Sequence, residues 1–234
     1  IMQGAEDRME EALRKIVKRK PKAIFIVAAP TVEVTRDDIE GVVKKVGCKD
    51  TVIIHPPIGG TVTDGKDAAF IQLLDLVRPA QKKKKKSVNI IGPTFSMFNW
   101  RADVYELTRM LREIGVTVNT VFTAGATVAD IKKAAQAELN LCIYPFDCGL
   151  KTAQEMERRF GIPCLADTIP IGFANSAAWI EKIADFFGIS TRRFLKQSVA
   201  NAFEFISANM VFAVTFEMTA ALSLENHNTY AVGL

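Results

Sequence analysis

The run Val88-Asn89-Ile90-Ile91, followed directly by Gly92-Pro93-Thr94, begins the stretch of sequence that decides the fold. Three more short runs of strand length follow it, at residues 116–122, 139–144 and 164–166. Short runs that are apolar on both faces are typical of strands in a parallel sheet with helices on either side. The four runs therefore predict one buried parallel sheet.

Helical patterns lie between these predicted strands. Residues 100–114 carry apolar side chains at helical spacing, and Thr127-Val128-Ala129-Asp130 has the pattern of a capping box. Residues 150–160 form a third helical pattern, and Gly161 follows it where a left-handed residue would end a helix. With right-handed crossovers, this alternation predicts an α/β fold of Rossmann-like, doubly wound parallel sheets with helices on both faces.

The first 80 residues repeat the alternation of helix and strand. A cap pattern, Thr35-Arg36-Asp37-Asp38, precedes one of the helical stretches. Prolines and glycines break the chain after the second strand. The predicted elements are helices at residues 1–20, 39–46 and 68–77 and strands at residues 23–29 and 51–55.

We expect tandem domains, because a linker-like stretch separates the two alternating series. Residues 81–87 are rich in lysine, and they divide a Rossmann-like domain at 1–80, incomplete on its N-terminal side, from a second one at 88–190. Residues 191–234 are expected to form a connecting helix and the start of a third domain. The chain is therefore expected to be a piece of a longer subunit.

The charge of the chain is concentrated in one place. The 234 residues are 49% hydrophobic and carry a formal net charge of +4, but without the run Lys82–Lys86 the charge is −1. A lysine run after a proline is typical of a solvated linker, with a contact to a partner as the alternative. Because no basic face with interleaved aromatic residues is evident, we expect no binding of nucleic acid.

Cysteine usage indicates the compartment. The four cysteines, Cys48, Cys142, Cys148 and Cys164, include no C-x-x-C pair, and no secretory signal opens the sequence. A chain of this length has a sufficient core without disulfide bonds. A cytoplasmic protein is therefore expected.

Residues 205–224 are mostly apolar and have the length of a membrane span. Glu217 lies near the middle of this stretch, where a carboxylate is costly in a bilayer. Residues 210–216 have the length and composition of a buried strand. We therefore expect a core strand and no membrane span.

Open parallel sheets bind ligands at the carboxyl ends of their strands, where the strand order reverses. His55 ends one predicted strand and Asp147 follows another, and the two are the candidate catalytic residues, each as a proton donor. A packed or capping role is the alternative for His55, and a helix cap is the alternative for Asp147. The loops that qualify are residues 28–31, 55–60, 92–99 and 144–149.

The stretch Gly60-Thr61-Val62-Thr63-Asp64-Gly65-Lys66-Asp67 has the spacing of a phosphate-binding loop, G-x-x-x-x-G-K, but it ends in Asp. The hydroxyl normally found there binds Mg²⁺, and a carboxylate opposes the phosphate. A glycine turn before a helix is the preferred interpretation, and a phosphate-loop ATPase is the alternative. No G-x-G-x-x-G follows a strand, so the dinucleotide fingerprint is excluded.

Cys148 lies between a predicted strand and the helical pattern at 150–160. A helix N-terminus lowers the pKa of a nearby thiol and makes it a better metal ligand or nucleophile. Cys148 is therefore the candidate metal ligand, with a structural role as an equal alternative. The other three cysteines are expected to be small buried residues.

Several motifs occur together between residues 87 and 189. In this combination they resemble the nitrogenase component 1 superfamily, and within it the B-type subunits of dark-operative protochlorophyllide reductase and their chlorophyllide reductase relatives. Gly59, Gly60 and Gly65 are similar to the preceding domain of the same family. The motifs are Ser87-Val88-Asn89-Ile90-Ile91-Gly92-Pro93-Thr94, Phe98-Asn99-Trp100-Arg101-Ala102-Asp103, Ile114-Gly115-Val116-Thr117-Val118-Asn119, Tyr144-Pro145, Phe160-Gly161-Ile162-Pro163 and Ile169-Pro170-Ile171-Gly172-Phe173.

The resemblance implies one subunit of an ATP-dependent, two-component reductase. A separate iron–sulfur ATPase, which binds the ATP, would deliver low-potential electrons to a heterotetramer of two related subunits. Iron–sulfur clusters there would pass the electrons to a conjugated, tetrapyrrole-type substrate or to a substrate on a metallocofactor. The substrate cavity would lie between Rossmann-like domains.

One residue departs from the family pattern. Family members carry a cluster-ligating Cys where this chain has Ala29, and a methyl group binds no iron. The resemblance then implies a cluster shared with or held by a partner subunit, or none. A second family Cys, from the nitrogenase branch, aligns with Pro145, three residues from Cys148, which we keep as the neighbouring candidate.

Two hypotheses follow from these observations. In the first, the chain belongs to a reductase in which the aromatic loop residues line an apolar cavity, although packing between sheet and helix is an equal alternative for them. In the second, it is a non-catalytic scaffold or cofactor-assembly subunit of the same superfamily, which the absence of a thiol at Ala29 favours. The expected cavity and cofactor-binding residues are Gly59, Gly60, Phe95, Met97, Phe98, Asn99, Trp100 and Phe146.

Overall fold

A computed structural model describes residues 5–29, 32, 35–55, 60–166 and 170–201. Within these ranges helices and strands alternate, single turns of 3₁₀ helix occur at Leu74–Leu76 and Ala134–Gln136, and residues 192–201 are helical. The elements in chain order are α1 Glu6–Val17, β1 Ile24–Val27, α2 Ile39–Val46, β2 Thr51–Ile54, α3 Val62–Leu73, β3 Ser87–Ile91, α4 Trp100–Glu113, β4 Thr117–Val121, α5 Val128–Lys132, β5 Leu139–Cys142, α6 Leu150–Phe160, β6 Cys164–Leu165 and α7 Phe173–Phe187.

All strand pairs in the described chain are parallel. β1 pairs with β2 in one sheet, and the second sheet has the order β4-β3-β5-β6. Each predicted strand in the described residues is present within a few residues of its expected bounds. The expected α/β fold with parallel sheets is therefore confirmed.

Helices cover both faces of the second sheet. On one face, α4 and α7 pack against it through Leu111 and Trp179, both fully buried. On the other face, α3, α5 and α6 contribute Phe70, Ile131 and Met156 to a second core cluster. Burial on both faces explains why β3 and β5 are largely apolar.

Helix α3 begins earlier than the sequence pattern predicts, at Val62 rather than Ala68. Its first turns are polar, so the apolar periodicity starts late, but Thr61 and Asp64 form a capping box that nucleates them. Phe70 on this helix packs edge to face against the ring of Phe122, which directly follows β4, with ring centroids 6.2 Å apart.

Helices α3 and α6 lie side by side and run in the same direction. Ion pairs join their beginnings, Lys151 to Asp64 at 3.0 Å, and their ends, Arg159 to Asp75 at 2.7 Å. The helix before the expected domain boundary at residue 80 thus shares the core of the sheet after it. The division into domains at 1–80 and 88–190 stays a prediction.

One local expectation is wrong, and a second holds for four of its five residues. The N-terminal cap of α2 is Asp38, whose Oδ1 accepts from the backbone N–H of Gly41 at 2.8 Å, while Thr35 donates to Asp37 instead. The lysine run is not solvated throughout, because Lys83 Nζ donates to the carbonyls of Ala135 and Phe160 at 3.0 and 3.1 Å. Burial lowers the pKa of Lys83 accordingly.

Within the described ranges, no helix combines the length and apolar character that a membrane crossing requires. The apolar stretch 205–224, with its predicted strand at 210–216, lies outside those ranges. Most of the expected third-domain segment lies outside them as well.

Three asparagines on neighbouring strands form a hydrogen-bonded row across the second sheet. Asn89 Nδ2 on β3 donates to Asn140 Oδ1 on β5 at 2.8 Å, and Asn119 Nδ2 on β4 donates to Asn89 Oδ1 at 3.0 Å. Asn89 Nδ2 also donates to the carbonyl of Ala134 at 2.9 Å. A slip in register would leave buried amides unpaired, so the row specifies how β3 and β5 align.

Replacing Asn89 by Leu should lower the free energy of unfolding by about 1–3 kcal/mol, because the buried Asn140 Oδ1 loses its donor and the Ala134 carbonyl loses one of its two donors. Urea denaturation of the wild type and the variant measures this loss. The double variant Asn89→Leu with Asn140→Leu removes both partners of one hydrogen bond and should recover part of the lost stability. A single variant as stable as the wild type would contradict the role of the row.

Candidate functional site

The candidate site lies between β3 and β5, where the strand order β4-β3-β5-β6 reverses. The loops after these strands, residues 92–99 and 143–149, flank this crevice. At Gly149, with φ of +99°, an added Cβ would lie 2.9 Å from Ile91 Cγ2 and 3.1 Å from Gly92 Cα. Only glycine permits so close an approach in this conformation.

The thiol of Cys148 is enclosed by this contact. Its side chain is 1% exposed, and Sγ donates to the carbonyl of Gly92 at 3.3 Å. Burial, reinforced by the nearby Asp147 carboxylate, raises the pKa of Cys148 to about 12. The expected lowering of this pKa is therefore wrong, because the thiol points into the core and not toward the amides of α6.

Asp147 stays at the surface of the same loop and meets α3. Lys66 Nζ lies 3.1 Å from Asp147 Oδ2 and 3.3 Å from Oδ1, and Thr63 Oγ1 lies 3.5 Å from Oδ1. The structure therefore places this candidate proton donor in an ion pair. The sequence indicated Lys66 only as part of a phosphate-loop pattern, so its pairing with Asp147 is new.

The phosphate-loop alternative itself is wrong. The stretch is helical from Val62 onward, and the N–H of Gly65 already donates to the carbonyl of Thr61 at 3.2 Å. Amides used within a helix cannot surround a phosphate. Gly60, with φ of +92°, forms the expected glycine turn before the helix, and Gly59 lies outside the described residues.

Two more carboxylates hold the loop that follows β5, and the sequence pattern identified neither in this role. Asp67 is 4% exposed and accepts from the backbone N–H of Gly149 at 2.6 Å. Asp103 of α4 accepts from the hydroxyl of Tyr144. Burial and this carboxylate raise the pKa of Tyr144, so the phenol stays protonated and keeps donating.

The aromatic loop residues face outward. Phe95, Phe98 and Phe146 are 69%, 98% and 87% exposed, so packing between sheet and helix does not hold for these rings. Phe95 stacks edge to face on the half-buried Trp100, with ring centroids 5.1 Å apart. The rings form an open apolar surface beside the crevice and enclose no cavity among the described residues.

The remaining two loop residues have local roles. Met97 is half-buried and packs against the core, and Asn99, with φ of +62°, lies immediately before α4. The Asn99 side chain makes no cap to that helix, and its Nδ2 lies 3.4 Å from Asp103 Oδ1.

His55 makes its hydrogen bonds at a different place from Asp147. Its ring Nε2 lies 3.1 Å from Glu40 Oε1 on α2, and its backbone N–H donates to Gln72 Oε1 at 3.1 Å. The contacts of His55 therefore involve α2 and α3 at the end of β2, whereas those of Asp147 lie at the β3–β5 crevice. The structure does not bring the two predicted proton donors together.

An iron–sulfur cluster of the kind that the resemblance implies needs several thiolates converging on one point. The part of the chain that the structure describes has no group of three or more His, Cys, Asp or Glu able to hold a metal ion. Burial raises the pKa of Cys142 to about 12 and that of Cys164 to about 11, and Ala29 is exposed at the end of β1. These residues do not fit the group, and a metal-ligating role of Cys148 has no geometric support.

The sequence is similar to one family of known proteins. The family model described as nitrogenase component 1 type oxidoreductase matches residues 1–228. The B subunit of light-independent protochlorophyllide reductase from Roseobacter denitrificans is 31% identical over 188 residues, covering 79% of this chain and 36% of the relative. The corresponding protein of Dinoroseobacter shibae is 33% identical over 174 residues, covering 73% and 33%. The chain spans about a third of the length of these curated relatives.

Solved structures of the same type share the fold. Nitrogenase Cp1 at pH 6.5 superimposes with a TM-score of 0.68 at 25% identity, covering 88% of this chain and 41% of that chain. The structure at pH 5 gives the same TM-score at 24% identity, covering 88% and 43%.

Gly149→Ala should lower the free energy of unfolding by about 2–4 kcal/mol, because it combines a left-handed backbone with a steric clash. Gly161→Ala, at the other end of α6, is the matched control. Gly161 has φ of +62° but nothing within 4 Å of an added Cβ, so we expect a loss of only about 1 kcal/mol. Equal losses in thermal or urea unfolding would contradict the loop contact.

In the folded protein at pH 8, Cys148 should react with iodoacetamide at least about a thousandfold more slowly than in the unfolded chain, since a pKa of about 12 in place of 9.0 depletes the thiolate. Mass spectrometry of the labelled peptides measures the rates. Cys48, which is less buried, is the internal reference and should react faster. Rapid labelling of Cys148 in the folded state would show that the thiol is not enclosed.

The same thiols make stability depend on pH. The pKa of Cys142 and of Cys148 is about 12 in the folded protein, against 9.0 for an ordinary thiol. Below pH 9.0 the thiols are therefore protonated in both the folded and the unfolded chain, and their contribution to the free energy of unfolding is complete. The free energy of unfolding should fall as pH rises from there, since only the unfolded thiols ionise. Cys148→Ala should make this decline shallower in urea titrations between pH 8 and 10.

Proposed function

The chain belongs to the nitrogenase component 1 type oxidoreductases, and from this premise we propose that it is part of one subunit of a nitrogenase-like, ATP-dependent reductase. The match extends over residues 1–228, so the proposal concerns nearly the whole of the chain. The parallel sheets of the described residues supply the crevice that such a function needs.

We propose that the substrate is a flat conjugated molecule of the tetrapyrrole type, alone or as part of a metallocofactor. The observation that carries this is the exposure of Phe95, Phe98 and Phe146 at the edge where the strand order reverses. Flat apolar rings at a crevice offer stacking area to a flat conjugated partner and little to a small polar one. The similarity to protochlorophyllide reductase subunits of Roseobacter denitrificans and Dinoroseobacter shibae supports the same substrate class.

Within this proposal, the residues of the chain bind the substrate and supply protons. Reduction of a carbon–carbon double bond consumes two electrons and two protons. The Lys66 ammonium lies 3.1 Å from Asp147 Oδ2, beside the exposed ring of Phe146, so the pair is placed to pass a proton toward the crevice. His55 faces Glu40 away from this crevice and is not part of this proton path.

The proposed electron source lies on other chains. A separate iron–sulfur ATPase binds the ATP and delivers the electrons, and a homologous subunit completes a heterotetramer in the cytoplasm. Because the four thiols of this chain do not fit an iron–sulfur cluster, the ligands of such a cluster come from a partner subunit in this proposal. This chain then contributes substrate binding and proton transfer.

A non-catalytic scaffold or cofactor-assembly subunit is the second candidate function. Ala29 in place of a thiol and the burial of Cys142 and Cys148 favour it, because the described residues then offer no set of thiolate ligands to a cluster. The metal content of the isolated chain and of the assembled complex distinguishes the candidates. A scaffold leaves ATP-dependent substrate reduction unchanged when its aromatic edge is altered.

Phe98→Ala and Phe146→Ala should each raise KM for a tetrapyrrole substrate by about fivefold to tenfold, because each removes a stacking ring. The assay is ATP-dependent reduction of protochlorophyllide by the full-length protein with its partners. Neither side chain packs in the core, at 98% and 87% exposure, so Tm should not change.

Tyr105→Ala is the matched control, since this ring is 72% exposed but belongs to α4 and to neither loop. Its KM should equal that of the wild type. No ATP-dependent reduction by the wild-type complex would overturn the reductase proposal. KM values of Phe98→Ala and Phe146→Ala equal to that of Tyr105→Ala would overturn the proposal that these rings bind the substrate.

A further inference from the structure

Helix α3 contacts the loop after β5 through two consecutive side chains. Lys66 pairs with Asp147, and the next residue, Asp67, accepts from the backbone N–H of Gly149 at 2.6 Å. The Asp67 carboxylate is 4% exposed. Removing a carboxylate from water is costly, so its place in the core needs a compensating hydrogen bond.

Among the described residues, Asp67 provides the hydrogen-bond acceptor for the Gly149 amide. This amide lies at the start of α6, where the first amides of a helix have no intrahelical acceptor. Glycine has no side chain, and no side-chain cap from the helix itself is present at this position. Asp67 therefore caps α6 from another helix, 82 positions earlier in the chain.

We propose that Asp67 is the positioning residue of the crevice, which holds residues 144–149 against Gly92 through its hydrogen bond to Gly149. Because Phe146 and Asp147 belong to this loop, their placement at the crevice depends on the same bond. Without it, the loop is free to move away from Gly92, and the thiol of Cys148 becomes accessible. The effect on catalysis rests on the proposed function, whereas the effect on the loop does not.

Cys148 is a reporter for the position of the loop, because its thiol is 1% exposed and donates to Gly92. In the full-length protein at pH 8, Asp67→Ala should raise the alkylation rate of Cys148 by about tenfold or more. Asp67→Asn keeps an acceptor oxygen and should stay within about twofold of the wild type. Peptide mass spectrometry gives the rate at this one cysteine.

Asp75→Ala is the matched control for loss of a carboxylate between α3 and α6. Asp75 pairs with Arg159 at the other end of the helices and is 62% exposed, so its variant should label Cys148 like the wild type. In the reductase assay, Asp67→Ala should lower kcat about tenfold, and Asp67→Asn should restore most of it. Rescue by the isosteric amide separates positioning from a need for the charge.

Hydrogen exchange of the wild type tests the bond directly and requires no variant. The Gly149 amide should exchange as slowly as the amides within α6. Exchange as fast as that of an exposed loop amide, or Cys148 labelling in Asp67→Ala equal to the control, would overturn the assignment. If Asp67→Ala does not fold, hydrogen exchange at Gly149 in the wild type and alkylation of Cys148 in Asp67→Asn still test the assignment. A wild-type complex without reductase activity would overturn only the proposed function, since both loop readouts are independent of it.

Discussion

Direct backbone contact between the loops after β3 and β5 determines the chemistry that the crevice offers. Gly149, in a left-handed conformation with no room for a Cβ, brings its loop against Ile91 and Gly92. This approach encloses the thiol of Cys148, which then donates to a carbonyl and has a raised pKa. The neighbouring Phe146 and Asp147 stay at the surface. One steric requirement thus separates adjacent residues into a buried structural thiol and two groups that face the crevice.

The position of α3 connects the two halves of the described chain. This helix follows β2 of the first sheet, yet it packs on the second sheet beside α6 and contacts the crevice loop through Lys66 and Asp67. A shared apolar core holds the two helices together, and ion pairs join them near both ends. A site in the second sheet consequently depends on residues that precede the lysine run. Lys83, within that run, donates hydrogen bonds to the carbonyls of Ala135 and Phe160, which lie beside the second sheet.

We propose that a partner subunit ligates the cluster and that this chain binds the substrate and transfers protons. This assignment agrees with the chemistry of the side chains. An iron–sulfur cluster requires several thiolates that converge on one point, and the described residues contain no such group. Substrate binding requires an accessible apolar surface, which the exposed phenylalanines provide. Proton transfer requires titratable groups within hydrogen-bond reach, which Lys66 and Asp147 provide. In the proposed function, this chain therefore supplies groups for two of these three tasks.

The sequence by itself determined the type of nearly every described element, because apolar runs, capping boxes and helix-ending glycines such as Gly161 are local signals. It placed the start of α3 too late, since the first turns of that helix are polar. It also identified Asp147 and Cys148 as residues of interest without their environments. Only the tertiary structure decided that Lys66 meets Asp147 across 81 positions and that the Cys148 thiol turns inward. Both depend on how helices and loops pack in space, and a local pattern contains no information about distances between remote parts of the chain.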